Sequence, residues 1–376
     1  MNFSKLDDFM NRMVARGYPS CELAVTKDGE VVYHRSVGYS DAAKTRPAGN
    51  QDIYWLFSCS KVITCIAGLR LIEEGKISLD DPVSKYLPEF ADVTVKHADG
   101  SVAPARNTMT ILHLFTMTSG LTYDIATPAI KNAASDPMAT TRSVVRAMAE
   151  SPLAFEPGTH YRYSLSHDVL GAVIEVASGM TLGQYMAKNI FDPLGLKNIG
   201  FHMTDDLIPR VADMYNGNSA TNTPTQMPCD NNYILSPMYD SGGAGLYSTV
   251  DDYVSILTAI ANGGTTPDGY SILRPETIAL AEKNRLDDVA LGDFCKGRLY
   301  GYGWGLCGRV HYNPDVSLSL APVGEFGWDG AANSFSLIDT KNRVALMFGT
   351  HVRGYQYGYN CIHPTLRNIV YECLEL

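Results

Sequence analysis

The 376-residue sequence contains no apolar run near the ~20 residues that a membrane-spanning helix needs. A membrane span is therefore not expected. It also lacks a basic stripe. Lys and Arg number 30 against 40 Asp and Glu, a net charge of −10. A nucleic-acid groove needs clustered cations to neutralise phosphates, so that class is set aside. The eight cysteines are scattered and form no CxxC pair, which argues against a disulfide framework or a zinc site. Nine histidines show neither HxxxH nor HxH spacing, so no metal is expected. No GxSxG occurs, which removes the nucleophile elbow as a way to present a serine. There is no internal repeat. Strands do not alternate with helices as βα units, so a doubly wound sheet is excluded.

What is present is an ordinary globular composition, 45% hydrophobic and 19% charged, in a chain long enough to bury a large core. The opening "MNFSKLDDFMNRMVARGYP" has no apolar h-region and reads as an amphipathic helix, not a signal peptide. The expected location is the cytoplasm. "ELAVTKDGEVVYHRSVG" is two β-rich runs around Asp28-Gly29, a hairpin signal. From about Leu79 to Thr181 the pattern is helical and punctuated by Pro and Gly. "MTILHLFTMTSG" and "DVLGAVIEVASG" read as helices ending at Gly, and "MTLGQYMAKNIFDPLG" as another. "NGNSATNTPTQMPCDNN" reads as a long surface loop. "STVDDYVSILTAIANGG" is a helix capped by Ser248 or Thr249, "RPETIALAEKN" a shorter one, and "SFSLIDTKNRVALMFGTH" a hairpin. Strands at both ends thus enclose a mostly helical middle. The fold class is α+β: an antiparallel sheet built from both termini, flanked by helices, with a helical insertion. Residues 1–78 and 235–376 make the sheet region and 79–234 the helical region of one compact unit.

The stretch "IYWLFSCSKVITCIAGLRLIEEGK" carries the chemistry. Val62, Ile66, Leu69 and Ile72 recur at helical spacing, and Gly75 is a stop. Ser58 and Lys61 sit three apart at its start, where side chains meet at about 5–6 Å between Cβ atoms. The pair is either an ordinary polar start to a buried helix or a nucleophile with its base one turn away. A serine hydroxyl needs such a base. A lysine in an apolar site has a depressed pKa and can supply it. The helix N-terminus adds positive potential and free N–H groups for an oxyanion. This is the only SxxK in the chain.

Several blocks in order, beyond Ser58-Cys59-Ser60-Lys61, resemble the serine β-lactamase and penicillin-binding-protein superfamily, on the branch of class C β-lactamases, DD-peptidases and β-lactamase-like (family VIII type) carboxylesterases. They are "EEGKISLDDPVSKYLPEF", "MTILHLFTMTSGL", "PGTHYRYSLSHDVLGAVIEVASG", "SGGAGLYSTVDDYVSIL", "GYGWGL" and "FGWDGAANSFSLIDTKNRVALMF". The resemblance runs from about Ser4 to Val370. It implies the β-lactamase/transpeptidase-like architecture, which agrees with the pattern above. It also implies that Tyr163, in "YRYSLS", stands between nucleophile and lysine as general acid/base, with Tyr161 the competing tyrosine. Ala331 and Ser58 would donate their N–H groups to the oxyanion, and Tyr123 would line the pocket.

Two departures from the family pattern bear on substrate. Leu165 stands two residues after the tyrosine, where β-lactamases and DD-peptidases usually carry Asn, and cannot hydrogen-bond an acylamide arm. Ser166, one step on, is a partial substitute. The third motif, Lys or His followed by a small residue and Gly in those enzymes, reads Trp328-Asp329-Gly330. Trp328 offers an apolar face where a cation would meet a carboxylate, Asp329 adds a charge that a β-lactam carboxylate would not favour, and Gly330 permits close approach. Both departures favour an uncharged acyl ester over a penicillin.

His160, His167, His113 and Asp168 could suggest a Ser–His–Asp triad. His167 and Asp168 are adjacent and point apart on a helix, so Asp168 is read as a cap or anchor. The expected function is a serine carboxylesterase acting through an acyl-enzyme on Ser58, with Lys61 and Tyr163 as base. The alternatives are a β-lactamase or D-amino-acid peptidase, an acyltransferase using the same acyl-enzyme, and a non-catalytic sensor. The expected partner is a small-molecule ester or amide, with no nucleic acid, membrane or cofactor, and the chain is expected to be a monomer or homodimer.

Overall fold

Asp28 and Gly29 take φ of 55° and 89°, the two left-handed residues that a tight hairpin turn requires. They join strands Ser20–Lys27 and Glu30–Gly38. In the computed structural model, which describes every residue except Ser219, Ala220, Asn222, Pro267, Gly297 and Arg298, this hairpin is one edge of a seven-stranded sheet. All its pairings are antiparallel. The order across it is Tyr302–Trp304, Arg309–His311, Phe326–Gly327, Phe335–Asp339, Val344–Gly349, Ser20–Lys27, Glu30–Gly38. Ser20–Lys27 pairs with Val344–Gly349, from Glu22 opposite Gly349 to Lys27 opposite Val344. The sheet therefore draws on both chain ends, an α+β arrangement.

Strand alternation divides the core between the two faces. Leu23, Val25, Leu346 and Phe348 point to one face, where Leu6, Met10 and Met13 of the helix Ser4–Ala15 meet Leu366 and Val370 of the helix His363–Leu374. Ala24, Ala345 and Met347 point to the other face. The small alanines let the helix Val250–Ala261 lie close to the strands. Thr249 caps that helix by accepting from the Asp252 N–H.

The helix Ser60–Glu73 is buried from Ser60 through Leu69 without interruption. It is buried on every side over that span, as expected of a central helix. It packs on the helix Ser166–Ser178, which ends at Gly179 in the left-handed conformation. A Cβ on Gly68 would meet the Phe115 ring at 2.8 Å, so glycine permits this close packing.

Between residues 79 and 165 the helical pattern is realised only in short pieces. "MTILHLFTMTSG" is helical over Ile111–Phe115 alone. Met117 then takes φ of 58° and Gly120 takes 85°, which turns the chain out of the helix and starts a loop that carries Tyr123. Thr94–Lys96 and Val102–Pro104 form a small hairpin. The predicted surface loop after Tyr215 is in part a hairpin, Met214–Asn216 with Thr225–Met227. Ser219, Ala220 and Asn222 of that stretch lie outside the described residues. No helix among the described residues is long and apolar enough to cross a membrane.

Candidate active site

Phe57 is fully buried and takes φ of 46°, a conformation that costs a non-glycine residue of order 1–3 kcal/mol. The strained residue sits directly before Ser58, in the single turn Phe57–Cys59 that leads into the helix Ser60–Glu73. Packing of Phe57 against Met214 and Ala332 holds it there. Ser58 then faces a cavity of about 420 Å³ lined also by Tyr123, Tyr161, Tyr163, Trp328 and Gly330.

Lys61 lies beneath the cavity floor and is wholly buried. Its Nζ is 3.2 Å from the Ser58 Oγ, 3.2 Å from the Tyr123 hydroxyl and 2.6 Å from the Gly243 carbonyl. Burial pushes its pKa down to about 8, against an upward pull from Asp168. At neutral to mildly alkaline pH a substantial fraction is therefore the free amine, the form that accepts a proton.

Asp168 neither caps its helix nor reaches the cavity. It accepts from the Tyr239 and Ser241 hydroxyls at 2.8 and 2.6 Å and from the Gly243 N–H at 3.4 Å. It thereby anchors the turn whose carbonyl binds Lys61. A Cβ on Gly243 would sit 2.4 Å from the Asp168 Oδ2 and 3.4 Å from the Lys61 Nζ.

Two tyrosines flank the serine. Tyr163 accepts the Trp328 Nε1–H at 2.9 Å, and the Ser58 hydroxyl lies close enough to both tyrosines to favour their phenolate forms. Tyr123 stacks on Tyr163 with ring centroids 5.4 Å apart and planes 2° from parallel. The Lys61 Nζ stands 4.7 Å from the Tyr163 ring centroid and 5.2 Å from that of Tyr123. Burial pushes both phenols well above their ordinary pKa. The lysine reaches Ser58 directly, whereas the expectation put Tyr163 between them. It meets the Tyr163 ring face, and its phenolic hydrogen-bond partner is Tyr123. The sequence reading had assigned Tyr123 to the pocket lining only.

On the opposite wall, Gly330 packs against the backbone before the serine. A Cβ there would meet the Ser334 Oγ at 2.2 Å and the Leu56 carbonyl at 2.4 Å, so only glycine lets the strand end approach. Gly330 and Ala331 line the same cavity as Ser58. Neither the Ser58 nor the Ala331 N–H donates to an acceptor among the described residues.

Leu165 and Ser166 are not brought to the cavity. Leu165 is buried and faces a separate shallow depression with Leu121 and Leu153. Ser166 is fully buried, bonded to Ser119 at 2.8 Å and Ser164 at 2.7 Å. The helix begins at Ser166, and its first turn rotates both side chains into the core. The histidines have structural partners elsewhere. His113 closes a capping box with Thr110, His160 pairs with Asp293 at the surface, and His167 bonds the Phe115 carbonyl with its pKa pushed down to about 3 by burial.

One group of possible metal ligands gathers among the described residues, away from the cavity: Glu22, His34 and Asp251. His34 bridges the two carboxylates, Nε2 to Glu22 at 2.7 Å and Nδ1 to Asp251 at 3.3 Å. Both ring nitrogens are engaged, as an ion-paired imidazole would be.

Comparison with known proteins agrees with this geometry. The Beta-lactamase family matches residues 6–357. Esterase EstB of Burkholderia gladioli is 29% identical over 92% of this chain and 89% of its own. Acyltransferase calJ of Penicillium decumbens is 30% identical over 88% of this chain and 83% of its own. Among solved structures, EstCE1, described as a hydrolase with promiscuous acyltransferase activity, superposes with a TM-score of 0.81 at 26% identity, covering 98% of both chains.

Proposed function

The chain belongs to the beta-lactamase family, and on that premise we propose that it is a serine carboxylesterase that works through an acyl-enzyme on Ser58. One observation carries the reading. A buried lysine, its pKa lowered to about 8, stands 3.2 Å from a serine hydroxyl in an aromatic cavity.

The chemistry follows from these positions. The neutral Lys61 amine takes the Ser58 hydroxyl proton as the oxygen attacks the ester carbonyl. The N–H groups of Ser58 and Ala331 receive the oxyanion. Tyr163 has its oxygen engaged by the Trp328 N–H, and its own proton is directed to the leaving alkoxide. The collapse breaks the ester bond, releases the alcohol and leaves the acyl group on Ser58. The Tyr163 phenolate then regains a proton and the Lys61 ammonium loses one; because Lys61 meets the ring face of Tyr163 and not its oxygen, water in the cavity carries that proton between them. Water, activated by the regenerated lysine, then releases the acid.

EstB and EstCE1 support the hydrolytic reading by name, and the aromatic cavity lining supports an apolar acyl group. The same acyl-enzyme serves acyl transfer when an alcohol or amine replaces water. The names of calJ and EstCE1 favour this as the second reading. The unpaired cysteines support a reducing, cytoplasmic setting.

The deciding experiment is hydrolysis of p-nitrophenyl butyrate by the wild type and by Ser58→Ala, both checked for folding. Turnover that falls to background in the variant supports the mechanism. Equal turnover in both proteins overturns it. An alcohol acceptor added to the wild type separates the readings, since transfer yields a new ester and hydrolysis only the acid.

A further inference from the structure

A second cavity, of about 260 Å³, lies between the N-terminal helix Ser4–Ala15 and the chain around the π-helical turn Gly358–Ile362. Phe9, Arg12, Met13 and Arg16 line it from the helix side. They are spaced three and four residues apart and so share one face. Tyr18, Tyr355, Tyr357 and Cys361 line the other side. The Tyr355 ring meets Tyr18 at 5.4 Å and Tyr357 at 5.9 Å between centroids, which makes that wall a continuous aromatic surface.

Arginines at a helix C-terminus complement its dipole, which explains their position but not the cavity they border. Neither Arg12 nor Arg16 forms an ion pair among the described residues, while Asp7 of the same helix pairs with Arg35, Glu372 with Lys5 and Glu375 with the N-terminal amine. No Asp or Glu lines the cavity, and the residues outside the described ones carry no carboxylate side chain.

The turn joins this cavity to the active site. Tyr359, within the turn, lines the Ser58 cavity and donates its hydroxyl to the Gly330 carbonyl at 2.9 Å. The same carbonyl accepts the Asn333 N–H at 3.0 Å. Gly358 lies against Asn333. A Cβ on Gly358 would overlap the Asn333 Oδ1 and stand 3.3 Å from the Tyr18 hydroxyl. Both of those oxygens are buried and have no hydrogen-bond partner. A donor and an acceptor, each costly to leave unpaired, thus flank one glycine at the start of a π-turn, an element that recurs at functional sites.

We propose that this cavity is a second binding site, for a small aromatic carboxylate held by Arg12 and Arg16 against the tyrosine wall, and that its occupancy shifts the Gly358–Ile362 turn and with it residues 330–333 beside Ser58. Guanidinium groups take carboxylates through paired N–H donors. The rings, with Phe9 and Met13, bury the apolar body. The volume is below the roughly 300–1,000 Å³ of pockets for drug-sized ligands, which sets the ligand at one or two rings. A neutral molecule of the same shape forgoes the two cations.

Cys361 is half-buried and free, so its alkylation reports on occupancy. The rate of its reaction with iodoacetamide is followed on its own peptide by mass spectrometry, with 2-naphthoate, 2-naphthalenemethanol or inorganic phosphate present. 2-Naphthoate should protect Cys361 at a concentration about tenfold below that needed by the neutral alcohol. In Arg12→Gln/Arg16→Gln, verified as folded by its thermal melt, that difference should vanish. Hydrogen exchange over residues 328–336 should change on adding 2-naphthoate to the wild type and not to the double variant, which separates the second site from binding beside Ser58. Neither readout requires esterase activity. No protection of Cys361, or equal protection by the alcohol, would overturn the anion site. Phosphate that protects as well as 2-naphthoate would overturn the aromatic class of ligand. A difference that survives in the double variant would overturn the role of the arginines. Exchange over residues 328–336 that is unchanged, or changed equally in both proteins, would overturn the coupling to the active site.

Discussion

Lys61 and Asp168 face each other across Gly243. The carbonyl of that glycine accepts from the lysine at 2.6 Å, and its N–H donates to the aspartate at 3.4 Å. Asp168 is 1% exposed, and its Oδ2 has no hydrogen-bond partner among the described residues. Burial lowers the Lys61 pKa, and the aspartate limits the drop. The rate should therefore rise as pH increases through about 8 and level off above it, since the neutral amine is the active base. Asp168→Asn keeps an acceptor for the Tyr239 and Ser241 hydroxyls but removes the charge. It should move the acid limb of the kcat/KM profile to lower pH. A limb that stays in place would mean that the base is not Lys61 or that Asp168 does not act on it.

Gly243→Ala tests the same junction sterically. The added Cβ would lie 2.4 Å from one charged partner and 3.4 Å from the other, and the first of these distances is not tolerated without a shift. The variant should lose about 1–3 kcal/mol of stability, read from urea unfolding. Its ester turnover should fall by more than this loss of stability explains, because the turn carrying the Lys61 acceptor moves. Wild-type activity and stability together would show that the turn can yield.

Tyr163 and Tyr123 both lie within reach of Ser58, yet they should respond differently to removal of the hydroxyl. Tyr163→Phe removes the acid for the leaving group. It should lower kcat/KM by about 10²–10⁴-fold on an ethyl ester. On a p-nitrophenyl ester the loss should be much smaller, because that leaving group departs without protonation. Tyr123→Phe removes only a partner of Lys61 and should lower both substrates by the same modest factor. If the two variants show the same leaving-group dependence, the acid is shared or misassigned.

Much of this arrangement was legible because it is local. The Asp28-Gly29 turn, the Thr249 cap and the Gly179 stop each depend on residues within one turn of the chain. Ser58 and Lys61 were legible for the same reason, since i and i+3 on a helix are neighbours whatever surrounds them. The Gly243 carbonyl was not legible, because it reaches Lys61 from 182 residues away. Leu165 and Ser166 were misplaced because sequence spacing from Tyr163 does not say where the helix begins, and its first turn points both inward. The left-handed Phe57 carries no sequence signal, since only tertiary packing holds a phenylalanine there.

Trp328 was read as a large apolar surface, but its indole N–H is a second function. It donates to the Tyr163 hydroxyl at 2.9 Å while the ring packs on Trp304 with centroids 4.5 Å apart. Trp328→Phe keeps most of the packing and removes the donor. That donor stabilises the phenolate as Tyr163 gives up its proton, so its loss should raise the barrier and leave ester binding nearly intact. The expected result is a kcat reduced about tenfold, equivalent to one hydrogen bond of roughly 1.5 kcal/mol to a charged group, with KM changed less than twofold. A raised KM with unchanged kcat would instead make Trp328 a wall of the cavity only. The proton path would then have to run through Tyr123, the one phenol that Lys61 touches directly.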